Sequence, residues 1–466
     1  VKFQHRAVQL LLLILTGCQF YSPAKAPEEN PSDSYLTKFY NPKQGSLKTF
    51  FEEFKDPELL HMVHLALTQN KDLLIAVEKI EETKALYGVA KSNLFPKLGF
   101  DAGAFRFHSG STTPLGAFER GMTINNNLFL QAFTLSWEID LFGKVRNQKL
   151  AAAHNILRTE AAQKGVLVSL SAEVALTYFE MSYYMEAIEL YKKTLAAQEK
   201  LIELGTSRVN AGIEAHQSLD STKKFYYALA KTLPDLDAGL KKARHHLAIL
   251  VGCEPSELKF DPKKIKPIQS HDLFFHVLLP AELLLNRPDV LEARQQYLSS
   301  SYGVKSAKAD LFPRFSLLGA FGTFSENANQ WLQKSSSLWT IGPMMRWPLF
   351  EGFNVLSNIQ VEKSKQNQAL LQYQSTVLKA LEEVENALVT VFQQQEKQKD
   401  ARLELEAQRA ILTSSTSLYK SGIKGLDQEK TQERETFEEE SQFLEAKFSS
   451  VKSLILLYKS LGGNWR

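Results

Sequence analysis

Apolar and polar residues alternate strictly from Ala132 to Leu141. Phe133, Leu135, Trp137, Ile139 and Leu141 take one side, and Ala132, Thr134, Ser136, Glu138 and Asp140 the other. A second stretch keeps this period, setting Trp339, Ile341, Pro343, Met345, Trp347 and Leu349 against Leu338, Thr340, Gly342, Met344 and Arg346. A period of two marks a strand with one apolar face. An apolar face with Trp near its ends, backed by a polar one, suits lipid on one side and a lumen on the other. A half-buried soluble sheet has the same period.

Elsewhere the pattern is helical. From Phe353 to Ser421 there are 69 residues without Gly or Pro, a helix of roughly 100 Å at ~1.5 Å per residue. The stretch 144–204 contains one breaker, Gly165. Each run ends near Gly212 or Gly422 and is followed by another, over 213–251 or 426–461. Gly at such points suits a helix C-cap and a tight reversal. Leu371, Leu378, Leu381, Val384, Leu388 and Phe392 recur at three to four, which predicts packed, coiled-coil-like hairpins.

The same grammar occurs twice. "AKSNLFPK" at 90–97 returns as "AKADLFPR" at 307–314, 217 positions later. Asp72 and Asp289 share that offset, whereas Glu173 and Glu383, Gly212 and Gly422, and Gly252 and Gly462 lie 210 apart. Conserved order with a slowly drifting offset is an internal duplication. Pro96 and Pro313 end a helix by removing a backbone donor and so mark two helix-to-strand joints. The predicted layout is a first repeat over 50–252, with a strand pair in 98–141 and a hairpin turning near 212. A linker over 253–279 leads to a second repeat over 280–466, with a strand pair in 314–349 and a turn near 422.

The first residues differ from the rest. Lys2 and Arg6 precede a short apolar core that ends in Leu15-Thr16-Gly17-Cys18. That core is about half the ~20 residues a spanning helix needs, so 1–17 read as a signal peptide. Its end resembles a bacterial lipobox, which makes Cys18 the expected site of covalent lipid and 18–49 a lipidated tether. No later stretch approaches 18 consecutive apolar residues, so no transmembrane helix is expected. Net charge is +3, with 44% hydrophobic and 23% charged residues, too balanced for a nucleic-acid partner. With only Cys18 and Cys253, no disulfide framework is possible. His61 and His64 read as surface histidines rather than metal ligands, the His245-His246 pair faces two directions, and Cys253 reads as a buried thiol. No phosphate loop, zinc-protease motif or nucleophile elbow occurs, so the chain is not expected to be an enzyme or to hold a cofactor or metal.

Four strands cannot close a membrane barrel, since the smallest have about eight, and an open edge in lipid leaves backbone groups unpaired. Either the strands are not in a membrane or several chains pool them. Export, lipidation and lipid-type alternation together point to an oligomeric outer-membrane channel.

The residues also resemble a known family. "FKDPELLHMVHLALTQNKDLLIA", "LPAELLLNRPDVLEARQQ", both L-F-P motifs, "SWEIDLFGKVR", "IGPMMRWPLFEG", "LKALEEVENAL" and the terminal "LYKSLGG" are similar to the TolC-like outer-membrane efflux proteins, in their lipid-anchored OprM/NodT-type branch. The likeness runs from about Phe50 to the end. It implies a mainly α fold with a small β part: a homotrimer whose twelve strands form a barrel in outer-membrane lipid, and whose hairpins form an α-barrel across the periplasm. It implies a passive exit duct for small molecules or drugs, joined through a periplasmic adaptor to an inner-membrane proton-driven (RND-type) pump or other transporter. The outer-membrane component of a type I protein secretion system is the alternative. A periplasmic adaptor lipoprotein is the distant one, for it would show a single hairpin.

The resemblance places Gly212 and Gly422 at periplasmic tips that narrow the tunnel and meet the adaptor. Family tips commonly carry Asp six residues after the Gly; here those positions are Ser218 and Gln428. Asp220, Asp427 and Glu429 are the candidates to replace that acidic ring. Arg208 and Tyr419 match positions where the family latches neighbouring helices. Glu138, Asp140 and Arg346 are expected to face the lumen, the two acids favouring cations and Arg346 offsetting them.

Overall fold

The computed structural model describes residues 50–52, 54–110, 112, 124–258, 265, 267–268, 285–423 and 425–463. The leader 1–17, the tether 18–49 with Cys18, and most of the linker 253–279 lie outside the described residues. The described part divides into two compact units, one holding Lys79–Glu160 and Glu292–Tyr373, the other 50–78, Ala161–Leu291 and 374–463.

In chain order the elements are α1 (Pro57–Gln69), α2 (Lys71–Ser92), β1 (Lys97–Ser109), β2 (Ile124–Ile139), α3 (Lys144–Asn210) and α4 (His216–Val251). The second half repeats the order with α5 (Pro288–Ala309), β3 (Arg314–Ser325), β4 (Ser337–Arg346), α6 (Asn354–Lys420) and α7 (Leu426–Ser460). Helices α3 and α6 are each 67 residues long, and no helix among the described residues is long and apolar enough to cross a membrane.

The four strands form one antiparallel sheet in the order β1-β2-β3-β4. Pairing is continuous, from Lys97 opposite Ser136 to Ser109 opposite Ile124, and likewise across β2–β3 and β3–β4. Each side chain therefore belongs to one of two continuous faces. On the first face a row of Phe100, Phe133, Phe321 and Trp339 runs across all four strands, with Leu98, Leu135 and Ile341 one row nearer the helices. These residues are largely exposed; Trp339 is 71% exposed. Gly322 is required where the sheet is tightest, because a β-carbon there would collide with the Gln131 carbonyl.

Each helix-to-strand joint is held by the same bond. Trp137 Nε1 donates to the Leu94 carbonyl at 3.0 Å, and Trp347 Nε1 to the Leu311 carbonyl at 3.2 Å. Pro96 and Pro313 sit immediately before β1 and β3, and Phe142 stacks on Phe312 at 4.6 Å. Two sequence expectations are corrected here. Strand β4 stops at Arg346, so Trp347 and Leu349 lie beyond it, where Pro348 can donate no ladder bond. Asp140 lies just past β2, and its carboxylate accepts from the Val145 and Arg146 amides. It satisfies orphan donors at the start of α3 instead of facing a lumen from a strand.

In the second unit Tyr178, Met181, Leu247, Leu454 and Ile455 are fully buried. Tyr178 donates its hydroxyl to Asp56 at 2.7 Å, and the Asp56 carboxylate also caps α1 by accepting from the Glu58 amide. Tyr183 stacks on Phe448, while Tyr191 and Phe225 meet Phe437 edge-on. Helix α3 runs unbroken through Gly165, where a β-carbon would meet Pro288 at an ordinary 3.6 Å. Pro234 likewise lies inside α4 without ending it. The stripe read from 371 to 392 is two faces, not one. Val384 and Leu388 are buried with Tyr373, Val377, Ala380 and Val391, whereas Leu371 and Leu378, one heptad apart, are 64% and 67% exposed.

Candidate functional site at the hairpin tips

The four long helical arms end in the same way. Gly212 and Gly422 take φ of 71° and 73°, a conformation that disfavours a β-carbon. The Gly212 amide bonds the Val209 carbonyl and the Ile213 amide that of Arg208; Gly422 and Ile423 repeat this with Tyr419 and Leu418. These are Schellman caps, and Gly252 and Gly462 build the same cap at the C-termini of α4 and α7. Tyr419 thus enters the reversal through its main-chain carbonyl.

Beside these turns the two tips of one chain are tied by charge. Glu214, with its side chain only 6% exposed, meets Lys430 Nζ at 2.8 Å and Arg208 Nε at 3.2 Å. The Ser218 hydroxyl lies 2.6 Å from Glu214 and 2.5 Å from Asp427. One hydroxyl proton serves one of these carboxylates at a time, and Lys430 also reaches the Ser218 oxygen at 3.4 Å. Leu219 and Leu426 are buried nearby in sequence. Farther along, Arg434 donates to the Ser221 carbonyl at 3.5 Å and its guanidinium covers the Phe225 ring at 4.7 Å.

The electrostatics follow from this packing. Burial works against the charged form of Glu214, but hydrogen bonds from Lys430 and Ser218 and the charges of Lys430 and Arg208 outweigh it and hold the carboxyl below its ordinary value. Glu433 behaves oppositely: burial, then the Glu429 charge, push its carboxyl up.

Among the candidates, Arg208 and Asp427 belong to this network. Asp220 is exposed and Glu429 half-buried, so Asp427 is the acid that meets the Ser218 position of the first tip. Glu214 and Lys430, which lie 216 positions apart, were not singled out by sequence reasoning; only the matching of the two reversals could have suggested them. Glu138 lies on β2 opposite Ser316, and Arg346 ends β4 opposite Arg314. His61 and His64 are exposed, and His246 lies 3.2 Å from Glu173. Cys253 is half-buried, its thiol 3.6 Å from the Ala248 carbonyl.

The family described as Outer membrane efflux protein matches residues 62–253 and 279–463. The chain belongs to that family. Among its relatives are the solvent efflux pump outer membrane protein SrpC of Pseudomonas putida, 26% identical over 465 residues with 97% of each chain covered, and the cation efflux system protein CusC of Escherichia coli O6:H1, 26% identical over 469 residues with 97% of each covered. Among solved structures, the outer-membrane channel OprN is 27% identical with a TM-score of 0.84, covering 95% of this chain and 99% of that one. The CmeC outer membrane channel of Campylobacter jejuni shares the fold, at 22% identity, a TM-score of 0.86, and coverage of 96% and 95%. The chain is an outer-membrane efflux protein with the mainly helical, four-strand fold of these channels.

Proposed function

We propose that three copies of the chain assemble into a closed twelve-stranded barrel continued by a helical tunnel. This forms the passive exit duct of a tripartite efflux system, anchored by lipid on Cys18. A periplasmic adaptor meets the tips around Gly212 and Gly422, and an inner-membrane pump, RND-type or other, supplies the energy. The observation that carries this reading is the sheet itself. One face bears an exposed aromatic row, and its outer strands β1 and β4 each pair on one side only. Unpaired edges and exposed apolar rows are costly in a lone chain and are both satisfied by pooled strands in lipid. Leu371 and Leu378, exposed on α6, supply apolar surface for neighbouring copies in the helical part.

In this reading the Glu214 tie holds the resting tip narrow, with Arg208 as its outer member. Arg208→Ala is expected to raise single-channel conductance in planar bilayers. Unchanged conductance together with unchanged entry of bulky antibiotics into cells overturns the latch.

A further inference from the structure

The two faces of the sheet exchange polarity along the strands. Nearest the helices, the face opposite the aromatic row carries Lys97, Glu138, Arg314 and Arg346, followed by Thr134 and Asp101. Thr134 donates to Asp101 at 3.3 Å, so both lie on that face. Leu338 stands at the level where Ala132 pairs with Gly322, in the row of Asp101, and beyond it the same face becomes mainly apolar, with Leu130, Phe324, Leu128, Phe105 and Phe107, and Asn126 opposite Phe107. Register is unbroken through this point, so no slip moves these residues to the other side. Phe105 lies over Gly103, where a β-carbon would stand 2.5 Å from its ring. On the aromatic-row face the change runs the other way: at this level it carries Gln131, Thr323 and Ser337, then Phe129 with Ser325, then Arg106 and Asn127.

A face that turns polar where its partner turns apolar marks the level at which the strands leave lipid. This inference rests on the pooled-barrel reading: with the aromatic row toward lipid, the second face lines the lumen. The helix-to-strand joints stand at the periplasmic end, so the apolar stretch belongs to the external mouth. Phe105, Phe324 and Leu338 are each more than half exposed in one chain; Asp101 shares the row of Leu338 at the inner edge, and at the outer edge Asn126 donates to Glu326 at 3.1 Å.

We propose that Leu338 and the apolar residues beyond it form an apolar, aromatic collar inside the external mouth of the duct that binds apolar and amphipathic solutes as they leave. Threefold repetition sets up to eighteen such side chains around the exit, while the charged rows below remain a wet passage for ions. The collar grips ring-bearing solutes by burying apolar surface, and cations among them also by ring faces.

The test is block of single-channel current in planar bilayers by tetraphenylphosphonium, an apolar aromatic cation, against tetramethylammonium. Wild-type channels are expected to be blocked by the first at concentrations at least tenfold lower than by the second. Phe324→Ser and Phe105→Ser are each expected to weaken that block several-fold, and Phe324→Leu to retain most of it. Phe133→Ser, on the lipid face, should leave the block unchanged. If the serine variants fail to assemble, Leu338→Cys in a Cys253→Ser background serves instead, with tetraphenylphosphonium slowing its modification by a charged thiol reagent. Channels that conduct but show equal block in all variants, or no protection of the thiol, overturn the collar while leaving the barrel standing. Trimers that never conduct overturn the barrel, and the collar with it.

Discussion

Replacing Glu214 by Gln keeps its shape and removes the charge on which two cations converge. Lys430 is only 10% exposed and Arg208 33%. Stranding a buried partner typically costs 3–5 kcal/mol. The low end applies here, because Arg208 can turn partly to water, where ion pairs contribute little. About 3 kcal/mol corresponds to roughly a 150-fold shift between closed and open tips at ~1.4 kcal/mol per tenfold. Single-channel recording of Glu214→Gln should therefore show far higher open occupancy or conductance than wild type. Lys430→Met should do much the same, while the double variant, which leaves only the part-exposed Arg208 without its partner, should fall short of the sum by about 1–3 kcal/mol. Strictly additive effects, or a Glu214→Gln channel as closed as wild type, would refute the tie as the restraint.

The same carboxylate predicts a pH dependence. Because Glu214 is held below its ordinary value, its contribution is fully present at neutral pH and fades only as pH falls below the ordinary glutamate value of about 4.3. Glu433, pushed up, takes its proton first and relieves its repulsion with Glu429. Conductance should accordingly rise only at the acid end, and a rise near neutral pH that persists in Glu214→Gln would contradict this order. Arg287 is 6% exposed and binds the Ser460 carbonyl, Asp289 and Glu383. Arg287→Met should cost about 1–3 kcal/mol in thermal unfolding, because the carboxylates it leaves are half-exposed and the Ser460 carbonyl loses its buried donor, and Arg287→Lys should not rescue it, lacking the forked geometry; full rescue by Lys would count against that role. At Gly252, with φ of 89°, a β-carbon would collide with the Gln69 carbonyl, whereas at Gly212 it would meet open space. Gly252→Ala should lower the melting temperature well beyond Gly212→Ala, whose cost is about 1–2 kcal/mol; equal losses would contradict the packing.

Local signals made much of the fold legible. Long runs free of Gly and Pro, glycines 210 positions apart, and the period of two over 132–141 and 338–349 each report backbone chemistry within a few residues. Signals that depend on tertiary packing were not legible. Asp140 continues the alternation of β2 in sequence, yet the nearby start of α3 takes its carboxylate as a cap. Leu371 and Leu378 share a spacing with Val384 and Leu388, but only packing within the chain separates the buried face from the exposed one. At the tips, Arg208 and Asp427 stand out beside the glycine reversals. Their common partners, Glu214 and Lys430, come from different repeats, and no local pattern joins them.

The central claim is that three chains pool their strands into one conducting duct, and one measurement addresses it directly. Purified full-length lipidated protein should run as a trimer by native mass and give discrete single-channel conductance steps in planar bilayers. Monomers that produce no conductance in the same bilayers would contradict the account.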